Sequence, residues 1–206
     1  LKVAPEHCAP ATLAYMGKPP VEVFNKFKDK FYQLTKKAGK KQYLVPYLMS
    51  SHPGSTLKDA VYLAEYLYKN HMRPEQVQDF YPTPGTVSTC MYYTGLDPYT
   101  LKPVFVEKTP EGKAMQRALL TYYEPKNADK VAKALQLTHR EDLIPLLAPT
   151  AARRMRRDVP IRTNAAQPVQ PKGAHKGKTK INLPSGKEQK QWQQKGGAAR
   201  AKGKRR

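Results

Sequence analysis

The sequence predicts an α/β fold in which three parallel strands with crossover helices form the C-terminal part of a partial (β/α) barrel. Three short apolar segments, residues 1–5, 42–49 and 76–81, each run into a polar loop that contains proline, and a helical pattern follows each loop. Strands that alternate with helices at this spacing form βαβ units, whose strands are parallel and whose crossovers are right-handed.

Hydrophobic periodicity places two helices between these strands. The segment 21–38 carries large apolar residues at helical spacing, and we expect this face to lie in the core. The segment 56–70 begins with Thr56 and Asp59, which is the pattern of a capping box. The face of the first helix consists of Phe24, Phe27, Phe31 and Leu34.

The pattern changes after residue 98. Residues 101–106 are compatible with one more short strand, and helical periodicity then returns over residues 110–123, 127–137 and 140–147. We interpret residues 99–149 as a small helical extension of the barrel segment 1–98.

Residues 150–206 have a different composition from the rest of the chain. They are rich in Pro, Gly, Gln, Lys and Arg and contain few large apolar residues, so we expect a disordered tail. The formal net charge of the chain is +21, and the tail supplies most of it, with 17 Lys and Arg against two acidic residues. Residues 1–149 carry 20 Lys and Arg against 14 acidic residues and are only mildly basic.

The two cysteines, Cys8 and Cys90, are far apart and form neither a disulfide framework nor a paired metal motif. This usage indicates a reducing compartment, and we expect a cytoplasmic protein. No apolar run approaches 18 residues and no signal peptide is visible, so no membrane association is expected. The chain begins with Leu1 inside a predicted strand, which suggests that preceding βα units belong to the same protein.

Polar residues cluster where the predicted strands end. The first strand runs into Glu6 and His7, the second into residues 50–54, and the third into residues 81–85. In (β/α) barrels the functional groups lie at the C-terminal ends of the strands. We therefore expect these three loops to converge on one mouth.

Seven motifs in order along residues 1–147 carry a family resemblance. They are Leu1 to His7, Met16 to Pro20, Lys40 to Tyr47, Ser50 to Gly54, Arg73 to Thr86, Ser88 to Pro98, and Lys113 to Leu120. Together they resemble the C-terminal part of the YgiQ-type radical S-adenosylmethionine proteins. Several long motifs in the right order make a strong signal.

The resemblance implies a [4Fe-4S] cluster and S-adenosylmethionine, which such enzymes cleave reductively to a 5′-deoxyadenosyl radical that acts on a substrate, here unknown. It also implies that the loops after the three strands face S-adenosylmethionine. The residues that match by position are Glu6, Ser50, Ser51, His52, Pro53, Gly54, Pro84 and Gly85.

The chain departs from this family in one respect. It contains no CxxxCxxC motif, and Cys8 and Cys90 cannot replace the three closely placed thiolates that a site-differentiated cluster needs. We expect the cluster cysteines in an upstream portion of the same protein. This chain alone is predicted to hold neither cofactor and to be inactive by itself.

Plainer interpretations stand beside these assignments. Glu6 can cap a helix, His52 can be a structural turn residue before Pro53, and Asp79 can satisfy a structural hydrogen bond. Cys90 is expected to be a small buried residue. Tyr92 and Tyr93 more often pack in such a loop than stack on a base.

The basic tail supports a rival hypothesis of another class, a noncatalytic module that binds nucleic acid such as RNA. Clusters of Lys and Arg are the electrostatic footprint of phosphate binding, and Trp192 can stack on an unpaired base. A solubilising tail without a fixed partner is the plain alternative. The candidate residues are Arg153, Arg154, Arg156, Arg157, Lys204, Arg205 and Arg206.

Overall fold

The computed structural model describes residues 1–158 and shows an α/β protein with a three-stranded parallel sheet. Strands β1 (Lys2–Glu6), β2 (Val45–Ser50) and β3 (Gln76–Asp79) lie in the order β1-β2-β3. Both strand pairs are parallel, as the sequence predicts.

The register of the strands brings their C-terminal ends to one edge. Ser50 is paired with Asp79, and Glu6 is paired with Leu48 after an irregularity in the register that follows Val3. Because parallel strands all point the same way, the loops that leave Glu6, Ser50 and Asp79 start side by side.

Eight α-helices lie within residues 1–158. The five helices whose bounds the sequence predicts between residues 21 and 147 all form, and their observed bounds differ from the predicted ones by a few residues. The predicted capping box of α3 is confirmed, because Thr56 and Asp59 each accept a hydrogen bond from the other's backbone N–H. No helix in this part of the chain is long and apolar enough to cross a membrane. The helices are α1 (Pro10–Tyr15), α2 (Val21–Lys37), α3 (Leu57–Lys69), α4 (Val87–Thr94), α5 (Pro110–Leu120), α6 (Ala128–Leu137), α7 (Ile144–Leu147) and α8 (Pro149–Asp158).

The core lies where α3, α5 and α6 pack on one another beside β2. Leu67, Leu119 and Leu135 are almost completely buried there, together with Leu48 from the central strand. Alanines on the same helices allow close approach between them, for example Ala64 and Ala134. Helices α5 and α6, which follow residue 98, therefore share one core with α3, the crossover helix between β2 and β3.

The phenylalanine face of α2 is not in this core, contrary to the prediction. No residue of α2 is buried, and Phe27 is 43% exposed. The periodicity of the sequence correctly indicates an apolar face, but a periodic face does not say what covers it. Phe24 and Phe27 instead line a groove between α2 and β1.

The prediction that the chain is disordered from residue 150 onward is also wrong for the first residues of that range. Residues 149–158 form helix α8, in which Ala151 is buried and Ala152 packs against the core. The sequence hides this contact because alanine adds little to a count of large apolar residues. The remaining part of the predicted tail, with Trp192, Lys204, Arg205 and Arg206, lies outside the described residues.

The predicted strand at residues 101–106 does not form. A single bridge between Leu96 and Pro103 is the only strand-like pairing in this part of the described chain. Leu101 has a positive φ of 57°, and a proline at position 103 has no N–H to donate to a ladder. The segment serves as a loop, and its Phe105 carbonyl accepts a hydrogen bond from the Gly54 N–H.

His7 is buried at the turn between β1 and α1. Its backbone N–H donates to the Pro5 carbonyl, and its Nδ1 accepts a hydrogen bond of 3.0 Å from the Ala9 N–H. Burial lowers the pKa of His7 to about 4, although the nearby Asp59 carboxylate acts in the opposite direction. The folded protein therefore holds this imidazole neutral at a pH where an unfolded chain protonates it.

The core predicts a contrast between two leucines of α6. Leu135→Ala removes a side chain with no exposed surface and should lower the free energy of unfolding by about 2–5 kcal/mol. Leu137→Ala, two residues along at a position that is 56% exposed, should change it by less than about 0.5 kcal/mol. Urea denaturation of both variants measures the difference, and equal losses would place the core elsewhere.

The burial of His7 predicts acid sensitivity. Between pH 6.5 and about 4 the unfolded chain binds a proton at His7 that the folded chain does not, so stability should fall as the pH falls through this window. Each pH unit within this window should lower the free energy of unfolding by up to about 1.4 kcal/mol. His7→Asn keeps an acceptor for the Ala9 N–H and should flatten the slope of unfolding free energy against pH. His139→Asn, at an exposed position, is the control and should leave the slope unchanged.

Candidate functional site

The candidate site lies at the C-terminal edge of the sheet. Glu6 and Ser51, which stand at the ends of β1 and β2, both have a positive φ of 60° although neither is glycine. Such backbone conformations are costly for residues with a Cβ and often occur at functional sites. The Glu6 carboxylate is 21% exposed and lies 3.2 Å from the Lys18 ammonium group.

Asp79, at the end of β3, is bound by two neighbours. The Ser50 hydroxyl donates a hydrogen bond to its carboxylate, and the Arg117 guanidinium lies 3.1 Å from the other carboxylate oxygen. These contacts connect β2, β3 and α5. Asp79 thus has the structural partner that a carboxylate in a strand needs.

The loop after β2 is buried and is held by Gln116 of α5. The Gln116 side-chain oxygen accepts hydrogen bonds from the Ser51 N–H at 3.0 Å and the Ser55 hydroxyl at 3.3 Å. Its amide nitrogen donates to the Ser55 carbonyl at 3.1 Å. Sequence reasoning missed this residue, because Gln116 is 65 positions from Ser51 and nothing local links them.

Gly54 allows the same loop to approach α1 closely. Its φ is +88°, and an added Cβ would lie 2.2 Å from a ring carbon of Tyr15. Neither the conformation nor the space permits a side chain. The predicted Pro53-Gly54 turn is therefore packed against the protein through its glycine, not open on both sides.

His52 is buried and carries a defined tautomer. Its Nδ1 lies 2.7 Å from the Pro53 carbonyl oxygen, which can only accept, so Nδ1 holds the proton. Its Nε2 then accepts the hydrogen bond from the Ser88 hydroxyl at 2.8 Å. Burial lowers the pKa of His52, which keeps the ring neutral. The ring also contacts Phe80 edge to face, with centroids 5.1 Å apart.

The third loop is more open than the second. Pro84 and Gly85 are exposed, and Gly85 has a φ of +79° with no atom near the place of a Cβ. Tyr92 of α4 packs on Phe80, as expected for a tyrosine in this loop, whereas Tyr93 is 69% exposed.

Two buried hydroxyl groups near this edge lack a hydrogen-bond partner among residues 1–158. They are the Ser51 Oγ and the Thr12 Oγ1. A buried hydroxyl without a partner costs free energy, so such groups are uncommon unless a further group completes them. The Ser51 Oγ belongs to the same loop that Gln116 holds.

The cysteines do not form a metal site. Burial raises the pKa of the Cys8 thiol to about 12, which disfavours the thiolate that metals require. Cys90 is exposed, so its predicted burial is wrong; α4 directs it away from the helix's packed side, where Met91 lies. Among residues 1–158 no three His, Cys, Asp or Glu side chains are grouped for a metal ion.

The loops with the predicted cofactor contacts lie at one edge of the sheet, but their residues differ in solvent exposure. Glu6, Pro84 and Gly85 are accessible, whereas Ser50 to Gly54 are buried and largely satisfied by other parts of the chain. Four of the predicted basic residues, Arg153, Arg154, Arg156 and Arg157, lie on a separate element, α8.

Comparison with known proteins finds much longer relatives. The chain is 58% identical over 144 residues to a UPF0313 protein of Clostridium perfringens strain ATCC 13124, and the match covers 70% of this chain and 22% of the relative. A UPF0313 protein of Clostridium botulinum strain 657 is 56% identical with the same coverage. The chain thus spans about a fifth of the length of these curated relatives.

No solved structure matches the chain. A family model described as a domain of unknown function, DUF3362, matches residues 75–206. That match covers more than half of the chain, from β3 through the helices that follow it to the basic C-terminal segment. The chain therefore belongs to the DUF3362 family.

Proposed function

We propose that this chain is the C-terminal part of a radical S-adenosylmethionine enzyme and that its strand ends form one side of the S-adenosylmethionine site. The observation that carries the proposal is the open side of the sheet at β1. Among residues 1–158, β1 pairs with β2 alone. Next to it lies a groove of about 380 Å³ whose lining includes Pro5, Leu13, Phe24 and Phe27.

An unpaired parallel edge beside an uncovered apolar helix face is what remains when neighbouring βα units are removed from a larger sheet. Parallel sheets are normally covered on both faces, and exposed edges invite pairing. The relatives are long enough to supply those units, because this chain matches 22% of their length. The partner that we propose for this groove is the preceding portion of the same protein.

The accessible residues fit one side of an S-adenosylmethionine site. The Glu6 carboxylate can accept hydrogen bonds from an ammonium group or ribose hydroxyls, and it already lies beside a cation, Lys18. Pro84 and Gly85 offer exposed backbone on which an adenine can lie. The Ser51 Oγ is a buried hydroxyl that lacks a partner among the described residues.

The residues of this chain do not fit the iron–sulfur cluster. Cys8 is buried with a raised pKa, and among residues 1–158 no three His, Cys, Asp or Glu side chains are grouped to hold a metal ion. In the proposed enzyme, S-adenosylmethionine supplies a 5′-deoxyadenosyl radical on reductive cleavage, and the substrate is unidentified. The role of this chain in the proposed enzyme is to bind and orient S-adenosylmethionine and to exclude water from its side of the site.

The role proposed for Glu6 can be tested by removing the charge of its carboxylate. In the full-length protein that carries this chain, Glu6→Gln should weaken S-adenosylmethionine binding about tenfold, because a charge-assisted hydrogen bond is replaced by a neutral one. Equilibrium dialysis with labelled S-adenosylmethionine measures this without turnover. Glu22→Gln makes the same charge change on the exposed side of α2 and should leave the affinity unchanged. Equal affinity in wild type and Glu6→Gln would refute the assignment.

The role of Gln116 can be tested by removing the amide that holds the loop after β2. Gln116→Leu leaves the Ser51 N–H and the Ser55 polar groups buried without their partner, at a cost of about 1–3 kcal/mol per group. Amide hydrogen exchange should therefore accelerate at residues 51–55 and S-adenosylmethionine binding should weaken in the full-length protein. Gln136→Leu on the exposed side of α6 is the control. Unchanged exchange at this loop would show that Gln116 does not hold it.

A further inference from the structure

A second cavity lies away from the strand ends, between the end of α3, the turn that precedes β3, the segment after α5, and the end of α7 that leads into α8. Its volume is about 420 Å³, within the range of about 300–1,000 Å³ that small-ligand sites occupy. Its walls combine tyrosines and aliphatic residues with two basic side chains. The lining residues are Tyr68, His71, Arg73, Tyr122, Tyr123, Leu146, Leu147 and Pro149.

The aromatic wall of this cavity is held in place by its own contacts. The rings of Tyr68 and Tyr122 meet edge to face at 6.2 Å, and those of Tyr122 and Tyr123 do so at 5.8 Å. The Tyr123 hydroxyl donates to the Pro74 carbonyl at 2.8 Å. The Arg73 guanidinium lies 5.9 Å from the centre of the Tyr123 ring. A planar ligand therefore meets rigid aromatic surface with a cation beside it.

A basic stripe on α8 continues from the cavity. Pro149, which lines the cavity, shares the solvent side of the helix with Arg153, Arg156 and Arg157, since these positions are spaced i, i+4, i+7 and i+8. Arg154 points elsewhere and is paired with Asp129 at 2.8 Å. Among residues 1–157 none of the three stripe arginines forms an ion pair, and all three are exposed.

We propose that the tyrosine-lined cavity binds an unpaired base of a single-stranded nucleic acid and that the α8 stripe binds the phosphates that follow it. Aromatic rings and a guanidinium stack on any base, and arginine binds phosphate through bidentate hydrogen bonds. The inference is independent of the S-adenosylmethionine site. It concerns other residues and would stand if that proposal failed.

A strand fits these features better than a free nucleotide does. The stripe extends about 12 Å along the helix axis from Pro149 to Arg157, beyond the reach of the phosphate on one nucleotide held in the cavity. Residues 159–206 add 13 Lys and Arg against one acidic residue, which attracts a polyanion to this end of the chain. A free nucleotide uses neither feature.

The test of the cavity uses the 206-residue chain and a 12-nucleotide single-stranded RNA that carries 2-aminopurine, whose fluorescence falls on stacking. Tyr68→Ala should weaken binding about tenfold and abolish the quenching, while Tyr68→Phe should retain both. Tyr62→Ala is the matched control, because Tyr62 is an exposed tyrosine of the same helix outside the cavity. Arg73→Gln gives a second variant of the cavity that leaves the tyrosines intact.

The test of the stripe is the salt dependence of the same binding. Replacing Arg153, Arg156 and Arg157 with Gln should lower the slope of log affinity against log salt by about two, since each phosphate contact on a single strand contributes about 0.7. Replacing Lys26, Lys30 and Lys37 of α2 with Gln removes the same charge from another element and should change the slope little.

Three outcomes would overturn the proposal. The first is unchanged affinity and quenching in both Tyr68→Ala and Arg73→Gln, which would mean that no base enters the cavity. The second is an equal change of slope in the two triple variants, which would mean that the stripe contributes only through the net charge of the protein and does not contact the phosphates. The third is equal affinity for free adenosine monophosphate or polyglutamate, which would identify a free nucleotide or an acidic protein as the ligand.

Discussion

The structure depends on the pairing of the central strand β2. It is the strand with a parallel neighbour on each side in the described sheet, and its Leu48 is the strand's contribution to the main core. The crossover helix α3 and helix α5 cover this core on one side. On the other side α2 leaves its apolar face uncovered. Within residues 1–158 both outer strands pair with β2 alone, and α5 packs against β2 and β3.

The helices after residue 98 are part of the site and not a separate appendage. Gln116 of α5 binds the loop after β2, and Arg117, the next residue, binds Asp79 at the end of β3. Two adjacent residues of one helix thus fix the ends of two strands. A buried amide with three hydrogen bonds to one loop restricts that loop far more than an exposed ion pair does.

The sequence predicted the features that depend on nearby residues. Thr56 and Asp59 are three positions apart, and their reciprocal capping bonds follow from that spacing. Strand direction followed from the order of strands and helices. Glu6 and residues 50–54 were placed at one edge because parallel strands must end there.

Features that depend on distant residues could not be predicted. The bond between Gln116 and Ser51 joins positions 65 apart, and a glutamine in a helix gives no local sign of burial. The phenylalanine face of α2 is visible as a pattern, but its cover is a property of the whole assembly. Helix α8 was missed because it packs through Ala151 and Ala152, whose small side chains carry little hydrophobic signal.

Helix α8 is stabilised by few contacts and opposed by its own charge. Arg153, Arg156 and Arg157 are three or four positions apart or adjacent, and like charges at i, i+4 destabilise a helix by about 0.2–0.5 kcal/mol per pair. Arg156 and Arg157 in the last turn gain from the helix dipole, and Arg154 gains from Asp129. Among residues 1–157, Arg153, Arg156 and Arg157 have no carboxylate paired with them to offset this repulsion. A phosphate chain along the stripe would remove this repulsion, so binding and the folding of α8 should stabilise each other.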